Sequence, residues 1–149
     1  MIPASVLLCL AGLGVSGYLS AAHYLSSDIL VCSESGAVNC AKVTSSAASK
    51  LAGVPVADLG VAFFVGMLVL CLPWAWRSAR PEVNALRTAG ATGGVAFCVY
   101  LVYYELFRVR AICIYCTAVH VITFLLFLLV LATSGGWVAG EEPGARASK

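Results

Sequence analysis

The chain has 149 residues, of which 61% are hydrophobic and 11% charged, against roughly 25% charged in an ordinary soluble domain. A mean hydropathy of +0.96 is more apolar surface than a soluble fold of this length can hide, so lipid is the expected solvent for much of it. The net charge of +2 is too small and too scattered for nucleic-acid binding.

No charged residue occurs before Asp28, and residues 2–22 form the first apolar run. Further runs cover residues 56–76, 88–107 and 112–133. Each is long enough to cross a bilayer, which takes about 20 apolar residues. In lipid the backbone must satisfy its own hydrogen bonds, so all are predicted to be helices. The predicted fold class is an all-α membrane protein, a four-transmembrane-helix bundle, with one membrane domain over residues 1–134 and a flexible cytoplasmic tail over residues 135–149. The first run lacks the basic start and short apolar core of a cleaved signal, so it is expected to stay.

One connection is long. Residues 26–55 are polar, and residues 41–52 hold alanines suited to a short helix lying on the membrane; Gly53 and Pro55 punctuate its end. Residues 77–87 read as a tight turn with Arg77, Arg80 and Arg87, and residues 107–112 as another. The arginine-rich turn is expected on the cytoplasmic side, with both termini. Trp74 and Trp76 suit an interfacial belt near that end.

The seven cysteines fall into two groups. Cys9, Cys71 and Cys98 lie inside predicted spans and read as small packing residues. Cys32 and Cys40 lie in the long loop, and Cys113 and Cys116 form C-I-Y-C at the start of the last span. One crossing precedes the first pair and three precede the second, so both pairs share one side of the membrane. By the arginine distribution that side is exterior, where disulfides persist. A cysteine at a helix start is favoured as the thiolate that attacks disulfides and electrophilic rings, and residues i and i+3 share a helix face. C-I-Y-C also stands where a membrane quinone can meet it. Two structural disulfides, or a zinc site of these cysteines, are the competing readings.

These residues resemble bacterial members of the vitamin K epoxide reductase family over nearly the whole chain. The resemblance is carried by the loop pair Cys32 and Cys40, by Ser46 six residues on, by G-V-P-V-A-D-L-G at residues 53–60, and by Y-L-V-Y-Y-E-L-F ahead of C-I-Y-C. An unrelated bacterial disulfide-bond oxidase family is also four-span, but its C-x-x-C lies in the first outer loop, the reverse of the order here.

The resemblance implies a membrane thiol–quinone oxidoreductase of the bacterial plasma membrane. A reduced thioredoxin-fold disulfide carrier attacks the Cys32–Cys40 disulfide at Cys32. Cys40 exchanges with Cys113, and Cys116 reduces a membrane quinone of the ubiquinone, menaquinone or vitamin K type. No thioredoxin domain follows the last span, so the partner is expected to be a separate protein. His120 stands where vertebrate relatives carry tyrosine, and no asparagine lies between Asn39 and Asn84, which points away from vertebrate-style epoxide reduction. That vertebrate-type reduction and a non-enzymatic scaffold are the alternatives. Among supporting residues, Ser46 is expected to hydrogen-bond near the C-x-x-C motif or cap the surface helix. His120, four residues after Cys116 on the same face, is expected at the quinone. Asp58 is expected to cap the second span and stand on the quinone side. Glu105 is expected to pair with Arg108, three residues on.

Overall fold

The computed structural model describes residues 2–25, 38–46, 49–77 and 80–138. The described chain is mostly helical. Helix α1 spans Ile2–Leu25, α2 Cys40–Thr44, α3 Val56–Cys71, α4 Pro73–Arg77, α5 Pro81–Tyr104 and α6 Ile114–Val138. A two-strand hairpin, β1 (Lys50–Leu51) and β2 (Val54–Pro55), precedes α3, and a π-helical segment, Glu105–Val109, extends α5. Among the described residues, three helices are long and apolar enough to cross a membrane: Pro3–Leu25, Pro81–Val109 and Ile114–Thr133. Their outward faces expose Leu7, Leu10, Val99, Phe124, Leu125 and Leu128, an arrangement that suits lipid and not water.

The second predicted span is shorter than expected. Helix α3 stops at Cys71, because Leu72 precedes a proline and adopts an extended conformation (φ −64°, ψ 153°). Sixteen residues at about 1.5 Å each give roughly 24 Å, short of the roughly 30 Å hydrocarbon core. The chain then re-enters a helix at Pro73, and the Trp76 indole N–H donates to the Cys71 carbonyl at 3.1 Å.

Arg87 does not lie in a turn. Pro81 and Glu82 open α5 several residues before the expected start, which puts Arg87 inside the helix, buried to 2% exposure. Its Nε donates to the Leu70 carbonyl at 2.9 Å and Nη2 to the Ala75 carbonyl at 3.2 Å. Its guanidinium lies 3.7 Å from the centre of the Trp76 ring. The arginine thereby braces the break between α3 and α4.

The long loop also differs from expectation. Helix α2 covers only Cys40–Thr44; Asn39 caps it by accepting from the Lys42 N–H at 2.7 Å. Thr44 and Ser45 hydroxyls donate back to the Cys40 and Ala41 carbonyls at 2.9 and 2.7 Å, a pattern that competes with further helix. The alanine-rich stretch gives way to the hairpin. Ala52 and Gly53 form its two-residue turn, both with positive φ (51° and 85°), as a type I′ hairpin requires. At the other end, α6 runs to Val138, past the expected tail boundary at residue 134. Residues 139–149 lie outside the described chain.

Helix α1 packs against α3 and α6, and α5 against α6 and α3. One buried cluster joins Cys9, Met67, Cys71, Ala91, Leu126 and Val130. Gly12 lets α1 approach α3, since a Cβ there would fall on the Phe64 ring. The second buried cluster is made of Leu19, Cys40, Val43, Ala111 and Cys113, and it leads into the site.

Candidate functional site

Two segments that are remote in sequence lie side by side ahead of α2 and α6. Val38 pairs in parallel with Ile112, and the Asn39 N–H donates to the Ile112 carbonyl at 3.1 Å. Each segment is followed immediately by a cysteine. Cys40 is the first residue of α2 and Cys113 directly precedes α6; both are wholly buried in one cluster. Cys40 is disulfide-bonded, whereas Cys113 and Cys116 are free thiols. Cys32 lies outside the described residues.

The π-helical segment sets the approach to Cys113. Arg110 is left-handed (φ 52°, ψ 44°), and the N–H groups of Arg110 and Ala111 both donate to the Glu105 carbonyl. That fold-back buries Ala111 and delivers Ile112 to its pairing with Val38. The Cys113 sulfur then accepts from the Cys116 thiol and from the Cys116 and Tyr115 N–H groups, the Cys116 N–H at 3.4 Å. The thiol donor above all, with the N–H groups, holds the Cys113 thiol below its usual range, against burial and the nearby Glu105 charge, which push it up.

Cys116 belongs to two environments. It packs against the Cys40–Cys113 cluster and it also lines a cavity of ≈ 480 Å³. His120 lines the same cavity, one turn along α6, so the expected shared face is present. Phe63 and Phe64 from α3 and Phe97 from α5 supply aromatic wall, and Gly90, Gly93 and Gly94 leave room beside them. Ser46 stands on the cavity rim, its hydroxyl donating to the Val43 carbonyl at 2.7 Å. It therefore finishes α2 while facing the cavity. The volume falls in the range of small-molecule sites, and apolar walls with a few converging polar groups are their usual make-up. A flat apolar ring with polar oxygens, such as a quinone, fits this lining.

Two expectations are corrected. Glu105 makes no ion pair with Arg108, which is exposed. Glu105 is buried, lines the cavity and is a second acceptor within reach of the Cys116 thiol, whose single proton points chiefly to the Cys113 sulfur. Asp58 neither caps α3 nor lines the cavity. Pro55 holds the cap position, and the Asp58 carboxylate accepts from the hydroxyls of Ser20 and, at 2.6 Å, Tyr24. Both hydroxyls come from α1, which packs along α3, so Asp58 is spent on holding those helices together.

Cys98, read as a packing residue, lines the cavity as well. Ser49, just before the hairpin, and Leu51 within it close one part of the cavity, which the helix expected there could not have suggested. The signal that could have found Glu105 was its burial cost. A carboxylate inside an apolar span is a functional candidate by default, and its spacing from Arg108 masked that. Among the described residues, no group of three or more His, Cys, Asp and Glu side chains stands close enough to hold a metal ion.

A family model described as "Vitamin K epoxide reductase family" matches residues 3–131.

Proposed function

Because this chain belongs to the vitamin K epoxide reductase family, it is a multi-pass membrane oxidoreductase with quinone chemistry, and we propose that it oxidises a thioredoxin-fold carrier outside the cytoplasm and reduces a membrane quinone. In this reading Cys32 and Cys40 receive the electrons, and Cys113 and Cys116 deliver them. The partner's thiolate attacks Cys32, and Cys40 leaves as the thiolate. The partner's second thiol displaces Cys32. Cys40 attacks Cys113 in its disulfide with Cys116, which leaves as the thiolate. Cys32 then attacks Cys40 in the resulting Cys40–Cys113 disulfide, restoring Cys32–Cys40 and releasing Cys113. When the Cys113–Cys116 disulfide re-forms, two electrons and two protons pass to the quinone, which is the two-electron acceptor when bound. The partner leaves with a disulfide, which supports disulfide formation in an oxidising compartment.

One observation carries the reading. Cys40 and Cys113 lie in the same buried cluster, while Cys116 touches both that cluster and the cavity. A structural disulfide needs no such pairing with free thiols, and a relay does. The lowered Cys113 thiol suits its release when Cys32 attacks Cys40 in the Cys40–Cys113 disulfide, because the more acidic thiol is the better leaving group in exchange. His120 is the residue proposed to hold a quinone oxygen, and Ser46 to keep α2 and Cys40 in register. Asp58 has no place at the quinone in this proposal. We take α3 with α4 as the remaining crossing, the cysteine face as extracytoplasmic, and the membrane as the bacterial plasma membrane. The membrane domain then extends to the end of α6.

The test is turnover in detergent by the full chain. A reduced thioredoxin-fold protein and a soluble short-chain ubiquinone are mixed with it, and quinone absorbance is followed. The expected result is quinol formation that is abolished by Cys40→Ala and by Cys116→Ala. Wild-type protein that turns over no quinone with any carrier tried, with its loop disulfide unchanged, would leave a structural scaffold. Turnover that survives Cys116→Ala would keep an enzyme and remove Cys116 as its quinone-facing thiol.

A further inference from the structure

The relay leaves one buried group unused. Glu105 is 7% exposed within an apolar helix, where an unpaired carboxylate is costly and is rarely kept without a use. It sits at the start of a π-helical segment, an irregularity often found at functional sites. It lines the same cavity as Cys116 and His120, and it is a second acceptor within reach of the Cys116 thiol beside the Cys113 sulfur. Its basic neighbours in sequence, Arg108 and Arg110, are exposed. The elements around the segment bring Lys42 from α2, Tyr104 from α5, Cys113 just before α6, and Cys116 and His120 from α6. Among the described residues none of these forms an ion pair with Glu105.

We infer that Glu105 is the proton acceptor for Cys116, taking the thiol proton as the Cys113–Cys116 disulfide forms and returning it to the reduced quinone. This rests on the relay reading above. The balance is complete with the groups named. The dithiol loses two protons and two electrons as one S–S bond forms, and the quinone gains the same number to become the quinol. One proton is that of Cys116, carried by the Glu105 carboxylate; the other is that of Cys113. A thiol is a poor nucleophile until its proton leaves. The cavity wall offers Cys116 a carboxylate within hydrogen-bond reach, which is the geometric requirement for a general base.

The test uses the full chain in detergent, with dithiothreitol as donor and a short-chain ubiquinone as acceptor, across a range of pH. Glu105→Gln keeps the shape and removes the base. It should lower turnover by about 10²-fold near neutral pH, with the loss shrinking as alkaline solvent deprotonates the thiol directly. Glu105→Asp should recover part of the rate, and Arg108→Gln should match wild type. Circular dichroism melting reports whether each variant folds. If the Gln variant is lost to misfolding, the rate and pH profile of Glu105→Asp decide. Wild-type rates for a folded Glu105→Gln, or a loss equal at every pH, would overturn the inference while leaving the relay intact. Turnover that survives Cys116→Ala would instead overturn the relay itself.

Discussion

Replacing Arg87 with methionine tests how the broken second helix is held. The guanidinium donates to two carbonyls, of Leu70 at 2.9 Å and Ala75 at 3.2 Å, and lies 3.7 Å from the Trp76 ring centre. The helix does not continue regularly past Leu70, because Leu72 is extended ahead of Pro73, so the arginine supplies donors where the helix cannot. Methionine retains the apolar stem and leaves both carbonyls short of a partner. Hydrogen bonds from a charged donor contribute about 1.5–3 kcal/mol each, and the stacking on Trp76 about 0.5–2 kcal/mol. Allowing for non-additivity within one network, a loss of roughly 3–5 kcal/mol is expected. Lysine carries a point charge with no planar fork and should recover less than half. Unfolding in mixed micelles of sodium dodecyl sulfate, followed by tryptophan fluorescence, measures the difference. A methionine variant within about 1 kcal/mol of wild type, or a lysine variant equal to arginine, would refute this account of the helix break.

Three further outcomes follow from the geometry. Gly12→Ala, whose Cβ meets the Phe64 ring, should destabilise the chain by about 1–3 kcal/mol, whereas Gly14→Ala, which faces open space, should not; the same unfolding assay compares them. Asn39→Ala removes the α2 cap and should cost about 1 kcal/mol, while slowing the Cys40–Cys113 exchange read by single-turnover quench. In reduced protein, the ultraviolet absorbance of the Cys113 thiolate should titrate below the ordinary thiol range, and move up in Cys116→Ala when the thiol donor is lost. Because the folded state favours the ionised form, that stabilisation is full above the unfolded thiol value and is lost as pH falls through the lowered one.

Several features were legible in the sequence for clear physical reasons. The uncharged run that forms α1 cannot be solvated by water. The C-I-Y-C motif stands at a helix start, with Cys113 just before α6 and Cys116 in its first turn, and helical periodicity alone put His120 on the Cys116 face. Other features were hidden because composition carries no register. Pro73 was the sole mark of the break at Leu72 in an otherwise unbroken apolar run. The alanines of residues 41–52 favour helix, yet Ala52 takes a left-handed turn beside Gly53, because the hairpin has to turn there and start α3 at Pro55. Arg87 looked like one of three loop arginines until Pro81 and Glu82 set the helix start ahead of it. The Glu105–Arg108 pairing assumed α-helical winding, and the π-helical segment, with Arg110 left-handed behind it, directs the two side chains apart.

Glu105 also joins the two halves of the site. Its main-chain carbonyl accepts from both Arg110 and Ala111, and that fold-back lays Ile112 against Val38 and so brings Cys113 beside Cys40. Its side chain meanwhile lies within reach of the Cys116 thiol in the cavity. The three-residue spacing of the motif spans the short distance between these environments: Cys113 lies wholly inside the loop-side cluster, and Cys116 faces the apolar cavity. A relay needs its two thiols to differ in this way, one placed for exchange with another disulfide and one for an acceptor that arrives from lipid. On this view the irregular end of α5 is the part that fixes both positions. Straightening it by Arg110→Pro, which removes one of the two donors to the Glu105 carbonyl and forbids positive φ, should uncouple them. Exchange between Cys40 and Cys113 should then fall together with quinone reduction, even in a variant that remains folded. If exchange instead kept its wild-type rate in that folded variant, the Val38–Ile112 pairing would be holding the cysteines without help from the π-helical segment, and this coupling would be wrong.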